Sequence, residues 1–391
     1  MAAELKTTQK LPISAAAARA WFARPEAASR LVPPWGAPAP PLVREFGADG
    51  DGCVVETRAA ARPGAAAALA WAARVAGQDL ARPLPRLRVG VTGASGMIGR
   101  ALAGWLALQG AEPVRFVRAS NVRGAIPWDP ARGTLDPAAL EGLDAVIHLA
   151  GAGIADRRWT AERKRTLVES RVAATGLLAR AVASAAASGR GPRVLVSASA
   201  IGAYGDRGDE TLADDAGYGQ GFLAGLAREW EGAAAPAAAA GVRVAHPRIG
   251  VVLWPSGGAL AKLLPPARLG AGGPLGSGAQ WWSWVTLHDV LDMLVFPLQS
   301  GLRGAYNAVA PAPERQRAFA AALGRVLGRP AFAPAPAFAL RLALGEMADE
   351  ALLASQRVEP RALAAAGYRH RDAALEPALR ALLGRTTEGV A

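Results

Sequence analysis

The segment that most constrains this chain is residues 87–99. An apolar run ends at Val91-Thr92, and Gly93-Ala94-Ser95-Gly96-Met97-Ile98-Gly99 then opens a helix-length stretch reaching Gln109. Glycines at this spacing do three different jobs: the first permits a sharp turn, the second lets phosphates approach the backbone, and the third lets the helix pack closely on the strand. The free N–H groups at the start of the helix then face an anion. Such a strand–turn–helix unit belongs to a parallel α/β sheet, and the sequence beyond it keeps the same alternation.

Short apolar runs at 87–92, 114–117, 145–150, 194–198, 242–246 and 305–309 alternate with helix-length segments at 97–109, 160–187, 221–240, 287–298 and 315–327. Most of the short runs are apolar throughout, as expected for strands covered by helices on both faces. The expected fold class is therefore α/β: a Rossmann-type doubly wound parallel sheet in residues 86–334, a small C-terminal substrate lobe in 335–391, and a short N-terminal α+β appendage in 1–85. In the appendage, Ser14 is expected to cap a helix running to Phe22, residues 42–46 and 53–57 to form short strands, and 65–76 a second helix ahead of a linker at Pro83 and Pro85. Residues 253–284, broken by Pro and Gly, are expected to form substrate loops.

Composition removes several function classes. The chain has 391 residues, 51% of them hydrophobic and 19% charged, enough apolar content for a large core. Cys53 is the only cysteine, which excludes an intramolecular disulfide and a cysteine metal cluster; no metal is expected, and a reducing cytoplasm fits. The start of the chain lacks a signal-peptide core, and the most apolar stretch, 64–76, contains Arg74 and is too short to span a bilayer, so no membrane is expected. The formal charge of +12 raises nucleic acid as a partner, yet only four of the 44 basic residues are lysines: Lys6, Lys10, Lys164 and Lys262. That skew, in an alanine-rich chain, reads as compositional bias. The densest basic group, Arg157-Arg158, Arg163-Lys164-Arg165 and Arg171, is interrupted by Glu162 and Glu169, so no nucleic-acid partner is expected.

The glycine turn points to a dinucleotide, with Gly93, Ser95, Gly96, Met97, Ile98 and Gly99 as its contacts. The second strand is followed by Arg118, with Arg123 nearby and no acid until Asp129. An acid there would take the 2′-OH of NAD, whereas Arg118 suits a 2′-phosphate, so NADP(H) is favoured over NAD(H); the competing reading of Arg118 is a solvated surface arginine. After the third strand comes His148-Leu149-Ala150-Gly151. Small residues here let adenosine and ribose lie against the backbone at Leu149, Ala150 and Gly151, and His148 reads as a packed strand residue.

These motifs resemble the extended short-chain dehydrogenase/reductase superfamily, and within it an atypical epimerase-like subgroup. The markers are 92–99, Leu149-Ala150-Gly151, Arg158-Trp159-Thr160, Glu169-Ser170-Arg171, Ser197-Ala198-Ser199-Ala200, Tyr204-Gly205-Asp206 and Gly273-Pro274-Leu275-Gly276-Ser277-Gly278. The run Leu344-Gly345-Glu346-Met347, followed by Gln356-Arg357-Val358 and Ala366-Gly367-Tyr368, resembles that subgroup's C-terminal module. In the N-terminal part, Leu11-Pro12-Ile13-Ser14, Trp21-Phe22-Ala23-Arg24-Pro25 and Arg30-Leu31-Val32-Pro33-Pro34-Trp35 are similar to the opening of a START-like lipid- or polyketide-binding domain, too short here to enclose a ligand.

The superfamily resemblance implies a serine that holds the substrate oxygen and a tyrosine whose pKa is lowered by a lysine four residues on. Ser199 matches the serine. Tyr218 is the only tyrosine near the expected distance, and Phe222 stands four residues beyond it; no lysine occurs between Lys164 and Lys262. The usual relay is absent. Tyr204 and Asp206 are the expected replacements as proton donors, against the reading of Asp206, Asp209 and Glu210 as turn residues. Arg248, after the strand at 242–246, is expected either to line the active cleft or, the favoured reading, to pair structurally with one of these acids. Sugar-nucleotide epimerases carry Arg-Asp where this chain has Trp282-Ser283, so a diphosphate clamp is not expected. Trp281, Trp282 and Trp284 then point either to an apolar or planar small-molecule substrate or to packing of the substrate lobe. Two functions follow: an NADP(H)-binding oxidoreductase or epimerase-like enzyme, or a non-catalytic NADP(H)-binding regulatory protein.

Overall fold

A computed structural model describes residues 4–11, 15–23, 43–49, 52–60, 84–118 and 122–385. The expected helix at 65–76, the Ser14 cap and Pro83 fall outside these residues.

The chain begins with β1 (Glu4–Leu11), α1 (Ala15–Phe22), β2 (Val43–Asp49) and β3 (Gly52–Ala60). These make a three-stranded antiparallel sheet, ordered β1-β3-β2, with α1 packed on β2 and β3. The helix and the two later strands match the sequence reading, and β1 adds a third strand to it. Leu11, Ala18, Trp21 and Val55 are buried in the same apolar cluster as Leu264, Leu323 and Leu379 of the main body, so among the described residues this appendage shares its core with the main body.

The main sheet follows from β4 (Arg88–Thr92), which leads into α2 (Met97–Leu108), β5 (Glu112–Val117), β6 (Ile126–Asp129), β7 (Thr134–Leu135) and β8 (Ala145–His148). Next come α3 (Ala161–Glu169), α4 (Val172–Ala187), β9 (Val194–Ser197), β10 (Ser199–Ala200), β11 (Thr211–Leu212), α5 (Phe222–Gly232), α6 (Ala235–Ala239) and β12 (Arg243–Ile249). The sheet is completed by β16 (Gly304–Ala308) beside β12. Its parallel strands run β6-β5-β4-β8-β9-β12-β16, and β7 closes one edge antiparallel to β6. Counted along the chain, the central six have the 3-2-1-4-5-6 order of a doubly wound dinucleotide-binding sheet, whose direction of winding reverses between β4 and β8.

Strand periodicity explains the two covered faces. Val89, Val91, Ala145, Ile147, Val194 and Val196 point to one side, where they meet α2. The intervening Val146 and Leu195 point to the other, where Phe116 and residues of α4 and α6 cover them. Each such valine, leucine or isoleucine contributes about 1.5–3 kcal/mol by leaving water.

Between β12 and β16 lie β13 (Val251–Trp254), α7 (Gly258–Arg268), β14 (Trp281–Trp282), β15 (Trp284–Thr286) and α8 (Leu287–Gln299). The stretch expected to be loops throughout thus holds an 11-residue helix despite Pro265 and Pro266; both prolines sit in its last turn, where each gives up one N–H donor and the helix stops within three residues. Two expected helices are each divided: 160–187 breaks at Ser170-Arg171, between the end of α3 and the start of α4, and 221–240 breaks after Gly232. The chain closes with β17 (Glu314–Arg315), α9 (Gln316–Leu327), α10 (Ala337–Leu344), a π-helical turn at Ala348–Leu353, β18 (Arg357–Val358), α11 (Arg361–Ala365) and α12 (Leu375–Leu382). Residues beyond 335 distribute their apolar side chains over several clusters: Leu379 joins α7 and α9, Leu363 and Tyr368 join α8, and Met347 joins Trp159. Among the described residues no helix is long and apolar enough to cross a membrane.

Candidate active site and cofactor cradle

The glycine turn is built as its sequence requires. Gly93 has φ +66°, and a Cβ there would stand 2.8 Å from the Leu149 carbonyl carbon and oxygen. Gly99 is tighter still, since a Cβ would lie 2.2 Å from the Gly93 oxygen. Gly96 differs: a Cβ would meet only the Gly93 oxygen, at 3.3 Å, so the space in front of it is open. Open space at the second glycine, beside the uncapped start of α2, is what a pyrophosphate needs. The residues therefore fit a dinucleotide. Ser95 and Gly96 are exposed at this turn, while Met97 and Ile98 are half-buried. Met97 lies under Gly257, where a Cβ would come within 2.4 Å of its sulfur.

The third strand end is tied to the first through Thr92. Its hydroxyl accepts the Leu149 N–H at 3.0 Å and the Ala150 N–H at 3.2 Å, and stands 2.7 Å from His148 Nδ1. An oxygen already accepting twice donates its own proton, so Nδ1 is the acceptor and Nε2–H donates to Thr175 Oγ1 at 2.9 Å. Burial, with Arg171 nearby, lowers His148 to about 3. The imidazole is thus a neutral strut that fixes Leu149 and Ala150 beside the glycine turn. Gly151 is exposed, and Arg118 is exposed at the end of β5.

A second cluster sits at the end of β9 and β10, where the sequence places Ser199. The Ser199 hydroxyl donates to Glu231 Oε1 at 2.6 Å, and the Tyr218 hydroxyl donates to Oε2 of the same carboxylate, also at 2.6 Å. Arg248 grips both oxygens from the opposite side, Nε to Oε1 at 2.9 Å and Nη2 to Oε2 at 3.0 Å. Ser199, Glu231 and Arg248 are buried, and Tyr218 is half-exposed. Burial works to raise the Glu231 carboxyl, but the hydrogen bonds from Arg248, Ser199 and Tyr218 hold it below its ordinary value. The same carboxylate, added to burial, pushes the Tyr218 phenol up to about 12. A tyrosine beside a lysine would shift the other way.

Other expected residues lie elsewhere. Tyr204 is fully buried, donating to Asn307 Oδ1 at 2.6 Å and accepting from Arg248 Nη1 at 3.1 Å; burial raises its pKa. It supports Arg248 from behind and has no surface through which to meet a substrate. Asp206 is exposed and organises a turn, its Oδ1 accepting from the backbone N–H of Gly208 at 3.2 Å and of Ser355 at 3.1 Å. Both differ from the expected role of direct proton donor. Arg248 pairs with Glu231, not with Asp206, Asp209 or Glu210. Trp282 and Trp284 are core residues, their indole N–H groups bonded to the Leu352 and Ala312 carbonyls. Trp281 is half-exposed, donates to Asp209 and has the guanidinium carbons of Arg315 and Arg357 at 4.2 and 4.8 Å from its ring centre. Packing accounts for two of the three tryptophans. Sequence reasoning missed Glu231, which lies in the last turn of α5, two residues after Glu229, with no motif around it; only the fold brings it under Ser199. Among the described residues no group of His, Cys, Asp and Glu side chains could hold a metal.

Residues 89–308 match the NAD dependent epimerase/dehydratase family. The chain belongs to that family. Residues 335–382 match a domain of unknown function. An epimerase family protein of Mycobacterium bovis is 41% identical over 282 residues, covering 72% of this chain and 92% of the relative. The human epimerase family protein SDR39U1 is 34% identical, covering 76% of this chain and all of the relative. Among solved structures, human SDR39U1 with NADPH superposes with a TM-score of 0.69 at 32% identity, covering 77% of this chain and 100% of that one. A structure described as a nucleoside-diphosphate sugar epimerase from Corynebacterium glutamicum reaches a TM-score of 0.78 at 28% identity, covering 97% of this chain and 90% of that one.

Proposed function

We propose that this family member is an NADP(H)-binding oxidoreductase or epimerase-like enzyme acting on a small molecule, with Ser199, Glu231, Tyr218 and Arg248 in place of the usual tyrosine–lysine relay. The observation that carries the reading is the single carboxylate holding both hydroxyls at 2.6 Å. Bound at the glycine turn, the cofactor supplies or takes a hydride. Preference for the 2′-phosphate form rests on Arg118, exposed at the end of β5 with no acid between it and Asp129.

The chain's own groups favour reduction. With its pKa at about 12, Tyr218 is ionised in only about one molecule in 10⁵ at pH 7, so it offers a proton and does not serve as a phenolate base. An alkoxide formed from a carbonyl is far more basic, its conjugate acid lying near water's ~15.7, so transfer from the phenol runs downhill. Half-exposed, Tyr218 is the member of the unit that can turn from Glu231 toward a substrate oxygen, while Ser199 and Arg248 keep the carboxylate in place.

The second reading, NADP(H) binding without turnover, is favoured by the fact that every hydroxyl proton in the unit is already taken by Glu231. Loss of NADPH absorbance with members of a carbonyl and enone panel, slowed in Tyr218→Phe, is the expected result; NADPH binding with no oxidation by any of them decides for the second reading. In Arg118→Ala, the Kd for NADPH should rise about tenfold, near 1.4 kcal/mol, with NADH unaffected. We read the N-terminal sheet and helix as a remnant of a START-like domain that packs on the main body and binds no ligand of its own. A single cysteine is consistent with a reducing cytoplasm.

A further inference from the structure

We propose that the C-terminal module holds the candidate active site in register, with Glu350 as a positioning residue for Glu231; this rests on the reading of Ser199, Glu231 and Tyr218 given above. Helix α5, which carries Glu231, starts without a cap of its own. At its N-cap is Gly221, with φ +101° and no side chain to offer, and Phe222 and Leu223 follow. The first N–H groups of a helix have no acceptor within it. Here the acceptor comes from 128 residues away: Glu350 Oε1 takes the Phe222 N–H at 2.8 Å, and Oε2 takes the Leu223 N–H at 2.7 Å.

A carboxylate bonded to two N–H groups at the positive end of a helix is a strong form of cap. Gly221 is shaped for it, since a Cβ there would stand 3.0 Å from Glu350 Cδ and Oε1. Glu350 reaches this point from the π-helical turn Ala348–Leu353, a geometry that recurs at functional positions. From Phe222 to Glu231 is about 13 Å along a rigid helix, so a shift of the capped end moves the carboxylate under Ser199.

The module also fixes the loop that carries Tyr218. Gln356 Nε2 donates to the Gly205 oxygen at 3.0 Å, Asp214 Oδ2 accepts the Ala362 N–H at 2.8 Å, and β18 pairs with β11 through Leu212 and Val358. Tyr218 follows these anchors and the Glu350-capped helix starts just after it. Both partners of the Tyr218–Glu231 hydrogen bond are thus placed by residues beyond 335.

The test reads that hydrogen bond directly, through the ionisation of Tyr218 followed by carbon-13 NMR of labelled tyrosine in the full chain. The chain has four tyrosines, and Tyr218→Phe identifies the signal. In the unaltered protein Tyr218 should ionise at about 12. Glu231→Gln should lower this toward the ordinary 10.0. Glu350→Ala should lower it likewise, and Glu350→Gln, which keeps one acceptor oxygen and reports if the alanine variant does not fold, should lower it less. Glu346→Gln, which breaks the module's exposed ion pair with Lys164, should leave Tyr218 unchanged; a downward shift there would reveal general loosening and overturn the specific role of Glu350. Tyr218 ionising near 12 in both Glu350 variants, while Glu231→Gln lowers it, would also overturn the positioning role. No change in Glu231→Gln would instead overturn the reading of the site itself, and the proposal with it.

Discussion

The glycine turn and the Glu231 cluster lie at the same end of one sheet but are assembled in different ways. Cofactor-side geometry comes from consecutive residues: Gly93, Gly96 and Gly99 sit in one strand–turn–helix unit, and their roles follow from local backbone shape. The Glu231 cluster takes Ser199 from β10, Tyr218 from a loop, Glu231 from α5 and Arg248 from β12. A local constraint is written in spacing. A cluster gathered from four elements is written only in the fold that gathers them.

The comparison predicts that the assembled site is the more fragile. Arg248→Met leaves the buried Glu231 carboxylate without its cation, and breaking a buried pair from one side costs about 3–5 kcal/mol. The double variant Glu231→Gln/Arg248→Met should recover most of that loss in chemical denaturation; a double variant as unstable as the single one would mean that the pair is not the source of the effect. In the cofactor turn, Gly99→Ala must push a Cβ away from a backbone oxygen 2.2 Å distant, at a cost of about 1–3 kcal/mol by overpacking. NADPH binding should weaken sharply, while Tyr218 ionisation stays as it was. A change in Tyr218 would show that the two regions are coupled more closely than their construction implies.

The smallest effect tests the strut between β4 and β8. The folded pKa of His148, about 3, lies below its ordinary 6.5, so between those values the unfolded chain binds a proton that the folded chain does not. Stability is therefore full above pH 6.5 and lost as the pH falls toward 3, by about 2 kcal/mol at pH 5. His246, lowered chiefly by burial, adds in the same direction. Denaturation at pH 7 and pH 5 should show the loss, and His148→Asn should remove most of it; an unchanged pH dependence in that variant would assign the acid sensitivity to other groups.

Much of the fold was legible. The six apolar runs expected to be strands all contain strands of the main sheet, because residues buried on both faces must be apolar nearly throughout. The short β6 and β7 escaped notice, since Ile126-Pro127-Trp128-Asp129 has neither the length nor the run of apolar residues to announce a strand. Helix α7 was hidden by Pro265 and Pro266, which read as breakers but fall where the helix is ending. In the candidate site, Ser199 was legible from its motif. Tyr204, Asp206, Trp282 and Trp284 were singled out by residue type, and type does not report burial: Tyr204, Trp282 and Trp284 proved to be inside and Asp206 a turn residue.

The sequence by itself determined the sheet, the glycine cradle and the loss of the tyrosine–lysine pair. Each of these depends on what a residue can do within a few positions of itself: turn at positive φ, alternate between faces, or be absent from a fixed spacing. Tertiary structure alone decided that Glu231 accepts the hydrogen bonds of Ser199 and Tyr218, that Arg248 balances it, and that Glu350 caps the helix that carries it. Those outcomes depend on charges brought together across up to 128 residues, where only the folded path of the chain sets the distance between them.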